Sequence, residues 1–141
     1  MTSGDDDDNV IRFPTFVRVE GDPPAAFEPI RCYVLVNRQA AKVPLNEWAS
    51  ASAHRHATHK LTGLDPWRVA ETIIGPVHIS TVFLGIDHRH FGDGPPLLFE
   101  TMIFGGTLDH FQNRCSTWDE AEAMHAEAVE LVRRGHLRVV K

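Results

Sequence analysis

The chain has 141 residues, of which 43% are hydrophobic and 23% charged, and it carries a formal charge of −5. That is about one domain's worth of polypeptide, enough to bury a core without disulfide or metal staples. The composition excludes a disordered polymer, no apolar run approaches the roughly 18–20 residues of a membrane helix, and the first thirty residues show no basic-then-apolar signal pattern.

The acidity is local. Asp5–Asp8 account for most of the net charge, and the remainder is close to neutral. Residues 1–9 therefore read as a disordered acidic tail, and residues 10–141 as a single domain. A near-neutral body lacks the clustered cations that broad DNA or RNA binding requires. Cys32 and Cys115 are the only cysteines and form no C-x-x-C pair, so the expected setting is a reducing cytoplasm with both thiols free.

Val10–Glu20 is β-rich but interrupted by Pro14, which cannot donate to a ladder, and it reads as an edge strand or two short pieces. Gly21-Asp22-Pro23-Pro24 is a turn. Ile30–Asn37 alternates cleanly and predicts a strand, followed by a polar connection over Asn37–Lys42. Leu45 to about Ala57 predicts a helix, with Asn46 as a candidate N-cap and Leu45, Trp48, Ala49, Ser52 and His56 along one face. Its serines, threonine and histidines are weak helix formers, so packing must hold it. Gly63 and Asp65-Pro66 end this region, and Trp67–Thr72 reads as a short strand or a further turn.

His78–Ile86 and Leu97–Phe104 are apolar and rich in β-formers. The Gly- and Pro-rich stretch Arg89–Pro96 between them predicts a hairpin with a long connection. Thr117-Trp118-Asp119-Glu120 has the form of a capping box, opening a helix with an apolar stripe of Ala121, Met124, Ala128, Leu131 and Val132. Gly135 is the expected stop, with Leu137–Val140 as a short final strand. The fold class expected is α+β: a mainly antiparallel sheet with a central long-looped hairpin, covered by two helices.

The string from Ser80-Thr81-Val82-Phe83-Leu84-Gly85-Ile86-Asp87-His88 through Gly94-Pro95-Pro96-Leu97-Leu98-Phe99-Glu100-Thr101-Met102 to Ile103-Phe104-Gly105-Gly106 resembles a family of small bacteriophage- and prophage-encoded proteins of unassigned function. Ser116-Thr117-Trp118-Asp119-Glu120-Ala121 and His125 are similar to a second signature of that family, and Pro44-Leu45 with Glu47-Trp48-Ala49 match more loosely. The likeness covers about residues 31–133. It implies a phage or prophage origin and a bacterial cytoplasm, and it brings no activity.

Three groups of side chains have chemistry to weigh. Asp87, His88, His90 and Glu100 surround the mouth of the hairpin. If Leu84 faces Thr101 and Ile86 faces Phe99, Asp87 and Glu100 share one face at diagonal distance, suited to a metal or to acid–base work. A one-residue change of register undoes this, and an Asp-His pair at a Gly-Pro loop is ordinary turn chemistry. His56 and His59 stand at i and i+3, able to share a metal, but with His54 they lack the acid or cysteine of a zinc helix and read first as surface histidines. His125 borders the apolar stripe and reads first as a core histidine bonded to the sheet. Neither a phosphate loop nor a nucleophile elbow is present.

The leading expectation is a non-enzymatic binding protein that engages a host or viral protein or a small ligand, without a cofactor. Phe83, Phe91, Phe99 and Phe104 are many aromatics for one sheet face to hide, which suggests a partner surface or a homodimer. One alternative is a metal-dependent hydrolase or nuclease using Asp87, His88 and Glu100, with His125. Another is an oligomeric trap that holds a signalling nucleotide between subunits, with Arg89, Arg114 and the amides of the Gly-Pro loop as phosphate donors; the candidate binding residues are Arg89, Phe91 and Arg114.

Overall fold

A computed structural model describes residues 30–89 and 92–140. The acidic tail, the Val10–Glu20 segment, the Gly21–Pro24 turn, His90 and Phe91 lie outside the described residues. The fold is α+β, with a two-stranded and a four-stranded antiparallel sheet and two helices.

Strands β1 (Cys32–Val36) and β2 (Gln39–Val43) form a tight hairpin in which Cys32 pairs with Val43 and Val36 with Gln39. The expected polar connection is thus itself a strand. Its turn is Asn37-Arg38, both left-handed at φ 51° and 67°, the twist that lets two residues join two strands.

Helix α1 runs Leu45–Thr62, one turn beyond the expected end. Pro44, not Asn46, is its N-cap; the Pro44 carbonyl accepts from the amides of Glu47 and Trp48, each at 3.1 Å, without a side-chain cap. Gly63, at φ 75°, closes the other end by donating to the His59 carbonyl at 2.8 Å. No residue of α1 is fully buried. Its half-buried face is Trp48, Ala51, Ser52, Arg55 and Thr58, so the expected face is rotated: Leu45, Ala49 and His56 are exposed. The Arg55 guanidinium grips Asp65 through two hydrogen bonds of 2.7 and 2.5 Å and stacks over Trp67 at 4.8 Å. That hydrogen-bonded guanidinium, opposed by partial burial, holds the Asp65 carboxyl below its ordinary value.

Strands β3 (Arg68–Ile74), β4 (Val77–Phe83), β5 (Phe99–Phe104) and β6 (Gln112–Cys115) make an antiparallel meander in chain order. The β4–β5 register pairs Thr81 with Thr101 and Phe83 with Phe99. This is three residues away from the expected Leu84–Thr101 pairing. An odd slide exchanges faces, and the reason is burial. The observed register puts Ile79, Thr81, Phe83, Phe99, Thr101 and Ile103 on one side, each at most 1% exposed.

Gly85, at φ 80°, kinks the chain as it leaves β4. Beyond it, Ile86 bridges Cys32, and the Gly85 carbonyl accepts from the Tyr33 amide at 2.7 Å, docking the β1–β2 hairpin on the sheet. A Cβ at Gly85 would overlap the Trp48 indole nitrogen and stand 3.2 Å from the Tyr33 carbonyl oxygen. Only glycine meets both demands.

Helix α2 (Trp118–Val140) lies across the buried face. Its capping box is formed: the Glu120 amide donates to Thr117 Oγ1, and the Thr117 amide to Glu120 Oε1, both at 3.1 Å. Ala121, Met124, His125, Ala128 and Val132 are its buried stripe, while Leu131 stands 39% exposed. Gly135 does not end the helix, and Leu137–Val140 is not a strand. Gly135 keeps a helical backbone, outside the left-handed region that a glycine stop adopts, and α2 continues to Val140.

The core has two parts. One gathers Trp67, Phe83, Leu98, Phe99 and Ala121, with Trp48 and Trp118 packed against them. The other joins Val77, Ile79 and Ile103 to Ala128 and Val132.

Candidate functional site

Asp87 and Glu100, expected on one face, belong to separate networks. Asp87 Oδ1 accepts from the amides of Arg89 and Leu97, at 2.8 and 2.9 Å, and Oδ2 pairs with Arg31 at 3.1 Å. This carboxylate, 3% exposed, is the keystone of the Gly-Pro loop. His88 donates from Nδ1 to the Ile86 carbonyl at 2.7 Å. Arg89 donates from Nε to the Pro95 carbonyl at 2.8 Å, and a Cβ on Gly94 would collide with its guanidinium. Asp87, His88 and Arg89 therefore shape the loop.

His125 sits on α2 against the buried face of the sheet, 7% exposed. Its Nε2 meets Thr72 Oγ1 at 2.8 Å, its Nδ1 meets Thr81 Oγ1 at 2.7 Å, and Thr81 Oγ1 meets Thr101 Oγ1 at 2.6 Å. A neutral imidazole, one nitrogen donating and one accepting, satisfies this chain of hydroxyls. Burial pushes the His125 pKa down, which favours that neutral form. His125 approaches neither Asp87 nor Glu100. Burial pushes Cys32 up and Cys115 up to about 11, so both thiols stay protonated near neutral pH. His54, His56 and His59 are exposed on α1, and among the described residues no three His, Cys, Asp or Glu side chains are grouped to hold a metal.

The other face of the four-stranded sheet has no helix on it among the described residues. The register brings three rows of side chains onto it: Arg68–Val82–Glu100–Arg114, Glu71–Ser80–Met102–Gln112 and Ile73–His78–Phe104. At one corner, Glu71 Oε2 accepts from Arg68 at 3.0 Å and meets His78 Nε2 at 2.5 Å. At the opposite corner, Glu100 Oε2 accepts from Arg114 Nε at 2.9 Å and from Gln112 Nε2 at 2.5 Å. The two carboxylates are thus each neutralised within the face. Between the corners Val82, Met102 and Phe104 line a hollow of about 410 Å³.

Of the phenylalanines expected to mark a partner surface, Phe83 and Phe99 are in the core, and Phe104 stands 43% exposed on this face beside Ile73 at 71%. Arg68, Glu71, His78, Val82 and Met102 were not among the expected site residues. The alternation of His78, Ser80 and Val82 with Ile79, Thr81 and Phe83 was the available signal. It required the register, and it required Arg68–Ile74 to be a strand.

Comparison with protein-family models, with curated proteins and with solved structures finds no match. No helix among the described residues is long and apolar enough to cross a membrane.

Proposed function

We propose that the chain is a binding protein that engages another protein through the open face of its four-stranded sheet, of the phage type that the hairpin strings resemble. The observation that carries this is the pairing of opposite charges at both corners around an apolar centre. Such a face presents no net field to repel an apolar partner, and Phe104 and Ile73 lose water when covered. The acids and histidines available for hydrolysis are instead held in separate networks, with His125 enclosed on the far side.

The size of the face sets the kind of contact. Four strands by about six residues cover on the order of 400 Å², half of the roughly 800 Å² each partner contributes to a standard stable interface. The face suits a single helix or extended segment of another protein better than a flat, face-to-face homodimer. A photo-crosslinking residue in place of Phe104 tests this in a bacterial host, with Glu127 on the exposed side of α2 as the control position. Adducts from position 104 alone are expected. Equal yields from both positions, or none from either, would overturn the proposal.

A further inference from the structure

A second concavity lies on the α2 side of the sheet, away from the open face. It measures about 610 Å³ and is bounded by the β1–β2 turn, the Pro95-Pro96 end of the loop and the start of α2. Its floor includes Leu98 and Phe99, each 1% exposed, and Tyr33 and Trp118 add aromatic surface. Its volume falls within the range of small-molecule clefts, and its lining mixes apolar with polar side chains.

Arg38 is the distinctive residue here. It occupies the second central position of the β1–β2 turn at φ 67°, a conformation that suits Gly and strains any larger side chain. The strained backbone places its guanidinium 5.0 Å from the centre of the Trp118 ring. Among the described residues Arg38 has no carboxylate partner, in contrast to Arg31, Arg55, Arg68 and Arg114. A strained, unneutralised cation held at an aromatic cleft is a standing offer to an anion.

Two neighbours narrow the ligand. The α2 start is not the anion site, because Glu120 already accepts from the Ser116 and Thr117 amides at 3.3 and 3.1 Å. Asp119 also lines the cleft and carries a negative charge, so a ligand with several negative charges meets repulsion as well as attraction. We infer that the cleft binds a small molecule in which a flat ring carries one negative charge. Its ring lies against the Tyr33, Trp118 and proline surfaces, and its anion takes the Arg38 fork with the Asn37 and Gln39 amides nearby.

Indole-3-acetate, indole, acetate and ATP are suitable probes, titrated into the full chain by two-dimensional NMR. The Trp118 Nε1–H is buried without a hydrogen-bond partner, and it gives a resolved reporter that Trp118→Phe assigns. Indole-3-acetate is expected to bind at least about tenfold more tightly than indole or acetate alone, and more tightly than ATP. Arg38→Gly relaxes the turn, so its melting temperature should hold or rise while affinity falls about tenfold or more. Arg38→Gln keeps the chain length and removes only the charge, and the same loss is expected from it. The inference is overturned if indole-3-acetate gives no saturable shift up to about 10 mM, or if a folded Arg38 variant binds it as well as the parent does. Cross-linking from position 104 reads the other side of the sheet, so either idea can fail alone.

Discussion

The two faces of the four-stranded sheet are built from the same strands by alternate residues, yet they are stabilised differently. On the covered face, three alternate cross-strand pairs of β4 and β5, Ile79–Ile103, Thr81–Thr101 and Phe83–Phe99, are at most 1% exposed, and the threonines among them are closed into the Thr–His125 chain. On the open face the same strands present His78, Ser80 and Val82 opposite Phe104, Met102 and Glu100, less deeply buried, with Glu71 and Glu100 held in ion pairs. One strand pair thus separates the work of holding the molecule together from the work of meeting something else.

The sharpest way to break this comparison is to truncate one aromatic on each side. Phe83→Ala opens a cavity in the core and is expected to cost about 3–5 kcal/mol, read from the urea midpoint. Thr81→Val keeps the shape but removes the partner of both His125 Nδ1 and Thr101, at about 1–3 kcal/mol.

Acid should act on the same face. His125 is depressed in the folded state, so the unfolded chain takes up its proton first. Its contribution is complete above about pH 6.5 and declines as pH falls below that. Asp65, also depressed when folded, adds a second loss at lower pH, starting near the ordinary carboxylate range. Thermal unfolding across pH should show both phases, and His125→Gln should remove the first.

On the open face Arg114→Ala leaves Glu100, 12% exposed, with Gln112 as its remaining side-chain donor. About 1 kcal/mol is expected, between the values of exposed and buried pairs. Phe104→Ser should cost the least, under about 0.5 kcal/mol, while abolishing partner capture. A stability loss rivalling that of Phe83→Ala would mean that Phe104 is already covered.

The legible parts of the chain were those in which local chemistry and tertiary demand agree. The Thr117/Glu120 capping box and the α2 stripe follow from spacing alone, as does the β1 alternation. The α+β architecture follows from those elements and the β4–β5 hairpin. What sequence did not yield depended on partners distant in the chain. Gln39–Val43 has only Val43 as a strong β-former and is a strand because Asn37-Arg38 folds it onto β1. The three-residue slide between β4 and β5 follows from which residues α2 covers. With the register displaced, Asp87 and Glu100 seemed neighbours, while the Glu71–His78 and Glu100–Arg114 corners could not be assembled.

Gly85 carries a consequence for the order of opening. Strands β3–β6 and α2 contact one another directly, whereas Tyr33 and Trp48 reach the sheet at the kinked Gly85. On that geometry the β1–β2 hairpin and α1 are expected to open before the four-stranded sheet and α2 do. Amides of Cys32–Val43 and Leu45–Thr62 should therefore exchange with deuterium sooner than those of β4 and β5.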